Sequence, residues 1–243
     1  MCTLCRQNSG LVSRRALGLF AMSSAALLLA GGANAKEDEK KAPPKPQNVL
    51  SPEAALKRLQ KGNERYVEGV MARHDFKHER EALAGGQNPF AAVLSCADSR
   101  IAPEYAFDSG RGDLFVCRVA GNFAADDTIA SMEYAVAVLN TPLILVLGHE
   151  ACGAIDATIK SLKDDKPLPG HLPSLVQALA PAVKAVSAKG GDVLNNAIRQ
   201  NVIDNVAKLK SASPILSAAV NDKKIQVAGG IYRLGSGKVE LVG

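Results

Sequence analysis

Three short runs of nearly unbroken hydrophobicity, residues 90–95, 113–119 and 142–148, limit what this chain can fold into. Each is too short for a buried helix and lacks the polar alternation of a half-exposed strand. Runs of this kind are strands buried on both faces, the hallmark of a parallel sheet covered by helices. The intervening segments supply the helices. Ser51-Pro52-Glu53 places a capping hydroxyl before a proline at the first helical position, and Leu56, Leu59 and Tyr66 follow at helical spacing towards Gly69. Helical patterns also span 127–139, 172–189 and 193–211. Strands at 224–233 and 238–242, joined through Gly235-Ser236-Gly237, read as a closing hairpin. The 243 residues suffice for one α/β domain with a full core.

Ligands of parallel sheets gather beyond the carboxyl ends of the strands. Two segments rich in chemistry stand there: Cys96-Ala97-Asp98-Ser99-Arg100 after the first run and His149-Glu150-Ala151-Cys152 after the third. Two thiolates and one imidazole make a three-ligand set, the pattern of a catalytic zinc that keeps its fourth position for water. The thiolates cancel the charge of the dication, and a water on such a zinc ionises near neutral pH to give a hydroxide nucleophile. Asp98 and Arg100 form a carboxylate–guanidinium pair in which Arg100 keeps Asp98 ionised and turned away from zinc, leaving it to orient the hydroxide. The competing reading is a Cys96–Cys152 disulfide; His149, three residues before Cys152, favours the metal. Glu150 and Ala151 are given no role. Cys117 reads as a small buried hydrophobe, His74 and His78 as a solvated surface, and His171 as a loop or helix-start residue.

The chain starts with features of export. Arg14-Arg15 closes a basic start, an apolar stretch of about 15 residues follows, and Ala33-Asn34-Ala35 has the form of a cleavage site. Residues 1–35 therefore read as a signal peptide. The stretch is short for a permanent span, although an uncleaved anchor is the alternative. Ser13-Arg14-Arg15-Ala16-Leu17 partly resembles a twin-arginine signal, with Ala after the arginine pair. Residues 36–48 are a charged, proline-rich tether, expected to be disordered, and 49–243 form the catalytic domain. Three of the 29 basic residues and none of the 24 acidic ones precede Lys36, so the remainder is nearly balanced and carries no nucleic-acid footprint. The expected location is outside the cytoplasm, in the periplasm.

The two segments, taken with Gly62-Asn63-Glu64-Arg65-Tyr66, Gly112-Asp113-Leu114-Phe115-Val116, Arg118-Val119-Ala120-Gly121-Asn122 and Met132-Glu133-Tyr134-Ala135-Val136, resemble the beta-class carbonic anhydrases. Gly230-Ile231-Tyr232 and Gly237-Lys238-Val239 fit as well. The resemblance implies a three-layer α/β fold with an N-terminal helical arm, and one zinc per subunit at Cys96, His149 and Cys152. It implies reversible hydration of carbon dioxide to bicarbonate and a proton by a zinc-bound hydroxide. Ala97 stands where the family more often has Ser. One subclass holds inhibitory bicarbonate with a Trp three residues before the first Cys and a Gly immediately before it; here these are Val93 and Ser95, and the chain has no Trp. In the other subclass, positions matching Gln87, Phe115 and Tyr134 line the substrate pocket, partly from a neighbouring subunit. A homodimer or tetramer follows, with the helix from Ser51 reaching over the partner and burying Leu56 and Leu59 outside their own domain. Two other functions compete: hydrolysis of carbonyl sulfide or carbon disulfide at the same zinc, and an exported metal-binding or thiol-redox module.

Overall fold

The computed structural model describes residues 49–242; the signal and the tether read from the sequence lie outside them. Helix α1 (Pro52–Val67) starts where expected, its first turn closed by Ser51, whose hydroxyl accepts from the Ala54 amide. Five strands follow in one sheet: β1 (Ala91–Ser95), β2 (Leu114–Arg118), β3 (Leu143–His149), β4 (Gln226–Tyr232) and β5 (Val239–Val242). Their spatial order is β2-β1-β3-β4-β5, parallel except for the β4–β5 hairpin. The connection from β1 turns one way to β2 and the return to β3 lands on its other side. The crevice between the ends of β1 and β3 is thus a topological switch point, where such sheets bind their ligands.

Alternation along the strands sorts the core into two layers. Ala92, Leu94, Ile144 and Val146 face one side. There they pack under α4 (Asp126–Ala137), α5 (Gly153–Lys163), α6 (Leu172–Val186), α7 (Val193–Ser211) and α8 (Ile215–Asn221). Ala91, Val93, Leu143, Leu145 and Leu147 face the other side, covered by α1 and by the short α3 (Pro103–Ala106). This is the three-layer α/β fold. Among the described residues no helix is long and apolar enough to cross a membrane.

Two expectations change, and one helix is added on a stretch that is solvated as read. Helix α1 is no free arm: Leu59 is buried in the chain's own core and Leu56 packs against the same cluster. Asn63 ties the helix down, donating to the carbonyls of Ala106 and Gly237 while its Oδ1 accepts from the Val239 amide. Cys117 is half-buried, because β2 is a sheet edge with a neighbour on one side only. The polar stretch holding His74 and His78 contains α2 (Phe76–Leu83), a helix without a single buried residue that Asp75 caps at the His78 amide. With no apolar stripe, its periodicity was silent.

At Gly62 an added Cβ would stand 1.9 Å from the Phe107 carbonyl oxygen, a backbone atom that cannot swing aside. Gly62→Ala should therefore cost about 3 kcal/mol. Urea unfolding should show the lower midpoint at unchanged slope, and a midpoint equal to wild type would mean that α1 is not held against Phe107.

Candidate metal centre

Cys96 follows β1 directly and His149 ends β3, two strands paired with Ser95 opposite Leu147. Cys152 arrives through a turn at Glu150-Ala151. Ala151 has φ +51°, the left-handed region that side chains normally avoid, and this reversal brings Cys152 back beside His149 at the start of α5. Ala151, given no role from sequence, is what makes the three-residue spacing work. The sulfurs of Cys96 and Cys152 and a ring nitrogen of His149 all lie within 4.8 Å of one another, and all three residues are buried.

The donor chemistry fits a zinc ion. The His149 Nδ1 lies 2.9 Å from the Glu150 carbonyl, so it carries the proton and the lone pair belongs to Nε2. That Nε2 is buried with no hydrogen-bond partner, a costly state for a polar atom that a metal removes. The two thiols are free and are pushed in opposite directions. Hydrogen bonding from Cys152 pulls Cys96 towards the thiolate, while Cys152 is pushed up by that same bond and by burial. The Gly121 amide also donates to the Cys96 sulfur at 3.3 Å. The Ala154 and Ile155 amides, at the N-terminus of α5, favour the Cys152 thiolate. For His149, burial opposes the charged form, yet the Cys96 sulfur, the Glu150 carbonyl and the Asp98 carboxylate together raise its pKa. A buried cluster that gathers negative charge in this way is built for a dication.

Asp98 and Arg100 meet in a two-pronged pair. Arg100 donates from Nε to Oδ1 at 2.9 Å and from Nη2 to Oδ2 at 2.7 Å, and its backbone amide adds a third bond to Oδ1 at 2.9 Å. These bonds hold the Asp98 carboxyl well below the usual carboxylate range. Asp98 Oδ2 is 3.9 Å from His149 Nε2, beside the ligand group but outside it. Arg100 Nη2 also reaches the Ala151 carbonyl at 3.3 Å, linking the two sequence segments.

Sequence reading passed over Arg118 as a site residue. From the end of β2 it donates to the carbonyls of Cys96 at 2.9 Å, Asp98 at 2.7 Å and Ile101 at 2.8 Å, clamping the loop that carries the first ligand and the carboxylate. The available signal was a charged residue closing an apolar strand. Of the expected pocket residues, the structure brings two together: the rings of Phe115 on β2 and Tyr134 on α4 have centroids 6.2 Å apart, with Tyr134 47% exposed. Gln87 lies in the exposed turn before β1.

Comparison with known proteins agrees with this geometry. The family described as carbonic anhydrase matches residues 91–239. The protein named carbonic anhydrase 2 in Mycobacterium tuberculosis is 38% identical over 193 residues, covering 79% of this chain and 93% of that protein. A carbonic anhydrase of Mycolicibacterium smegmatis is 37% identical over 192 residues, with the same coverage. The solved beta-carbonic anhydrase of Coccomyxa superposes with a TM-score of 0.60 at 27% identity, covering 77% of this chain and 86% of that one.

Zinc analysis should find one ion per chain, and Cys152→Ser should lose it together with activity, because a hydroxyl does not replace a thiolate at a zinc flanked by one remaining sulfur. Retention of stoichiometric zinc by Cys152→Ser would remove Cys152 from the ligand set.

Proposed function

This chain belongs to the beta-class carbonic anhydrases, and from that premise we propose how its residues carry out the reversible hydration of carbon dioxide to bicarbonate and a proton. Zinc held by Cys96, His149 and Cys152 supplies Lewis acidity that eases the loss of a proton from water. The observation that carries the reading is the Asp98–Arg100 pair beside the ligands, which storage of metal or exchange of thiols would not require.

Asp98 accepts a hydrogen bond from the reacting water and so fixes which lone pair faces the carbon of carbon dioxide. With its carboxyl held so far below the ordinary range by Arg100, Asp98 is a poor proton acceptor at neutral pH. Its work is orientation. Arg100 keeps Asp98 ionised and locks its two oxygens in one plane, and Arg118 fixes the loop on which both stand. His149 is kept in one tautomer by the Glu150 carbonyl.

Phe115, Tyr134 and Gln87 complete the substrate pocket of an adjacent subunit in a homodimer, or in a tetramer made of two such dimers. In support, among the described residues β2 ends the sheet with its ladder unpaired on one side and its apolar residues half-exposed, and Tyr134 on α4 and Val138 just past its end lie exposed. Uncovered strand edges with apolar neighbours invite association. The enzyme is of the subclass without the inhibitory bicarbonate site: Val93 and Ser95 occupy the decisive positions, both wholly buried in β1. It works outside the cytoplasm, a reading supported by the basic, apolar and small-residue order of residues 1–35.

Stopped-flow hydration of carbon dioxide, run beside a carbonyl sulfide assay on protein recovered from the periplasm and sequenced for cleavage after Ala35, tests function and location together. Carbonyl sulfide turnover without carbon dioxide hydration would overturn the substrate. Asp98→Asn should keep its zinc and lose about 10- to 100-fold in kcat; full turnover would reduce the pair to a structural role. Light scattering of the mature protein should show a dimer or tetramer whose interface exceeds about 2,000 Å² in total. A fully active monomer would require the pocket to be built from one chain.

A further inference from the structure

Helix α7 buries an apolar stripe against β3 and β4, with Ile198, Val202 and Leu209 sealed from solvent. Two amides interrupt that stripe one turn apart: Asn201, 2% exposed, and Asn205, 7% exposed. Leucine would pack there without the burden of desolvating an amide, so the two asparagines call for a reason. Their hydrogen bonds supply it. Asn201 donates from Nδ2 to the Gly121 carbonyl at 2.9 Å. Asn205 accepts at Oδ1 from the Ala124 amide at 2.7 Å and donates from Nδ2 to Asn201 Oδ1 at 3.0 Å and to the Asn201 carbonyl at 2.7 Å. The pair is a bracket across residues 121–124, the irregular segment between β2 and α4.

Gly121 is the part of that segment that reaches the metal site, through its amide and the Cys96 sulfur 3.3 Å away. It has φ +85°, a backbone conformation that favours glycine, and an added Cβ would push against Leu179 Cδ1 at 2.8 Å. Glycine has the softest backbone of any residue and no side chain with which to fix itself. The turn bond from the Asn122 amide to the Val119 carbonyl at 2.9 Å closes the backbone around it, and a further hold falls on the Gly121 carbonyl. Among the described residues, the side chain that bonds this carbonyl is that of Asn201.

We propose that Asn201, braced by Asn205, is a positioning residue for the Cys96 thiolate, holding Gly121 so that its amide donates to that sulfur. Asn201 touches neither metal nor substrate. It acts on how much charge the thiolate gives to zinc, and so on metal affinity, in the manner of partners that orient ligands from behind. The inference rests on Cys96 being a zinc ligand.

The test uses the full chain, stripped and reloaded, with two readouts independent of turnover: zinc affinity by competition with a chromophoric chelator, and the sulfur-to-cobalt charge-transfer band of the Co(II) protein. Asn201→Leu should bind zinc about 10-fold more weakly and shift the band. Asn205→Leu, which leaves Asn201 unbraced, should move both in the same direction by less. Leu59→Ala, buried in the core layer on the opposite face of the sheet, should lower thermal stability while leaving affinity and band unchanged. If Asn201→Leu does not fold, Asn201→Ser, too short to reach Gly121, takes its place with the same expectation. Wild-type affinity and an unshifted band in the Asn201 variant would overturn the proposal, as would an equal change in Leu59→Ala. Failure of the wild-type chain to take up either metal would instead overturn the ligand assignment on which it rests.

Discussion

Pairing of β1 with β3 is the constraint from which the site follows. Parallel strands side by side bring their carboxyl ends to one level, and the register that sets Ser95 against Leu147 leaves Cys96 and His149 emerging together from the sheet. That register is held by the core itself. A slip of one residue would turn Leu94 and Val146 out of one apolar layer and Val93 and Leu145 out of the other. The ligand geometry is thus as stable as the packing of the sheet, and no flexible loop has to find it. Only Cys152 depends on a turn, and Ala151 takes the strained left-handed conformation there.

Around this frame the chain gathers hydrogen-bond donors on the sulfurs and sets one carboxylate next to them in a fixed state. Negative charge accumulates where water is excluded, an arrangement that a dication stabilises and that would otherwise be costly. Asp98 could have served as a fourth ligand by its position alone, 3.9 Å from the His149 Nε2. The two-pronged hold of Arg100 engages both carboxylate oxygens instead. Arg118 and the asparagine bracket on α7 then fix the two loops, 96–101 and 121–124, that no regular structure supports.

What could be read from the sequence was decided locally. Unbroken apolar runs named β1, β2 and β3 because burial on both faces leaves no room for polar alternation, and Ser51-Pro52 marked the start of α1 because capping needs only neighbouring residues. The ligands were legible because zinc accepts few residue types and their spacing followed the strand ends. The destiny of α1 was not legible: an amphipathic helix shows that it has a partner but not which one, and Asn63 reaching Gly237 and Val239 joins residues far apart along the chain. Helix α2 escaped because nothing in it is buried. Arg118, Asn201 and Asn205 escaped because each acts on backbone carbonyls or amides, which every residue offers and no sequence pattern marks. The sequence by itself determined the elements and the metal-binding atoms, since both depend on side-chain type over short distances; only the tertiary structure decided which backbone groups hold those atoms in place, since such bonds form between segments that the fold alone brings together.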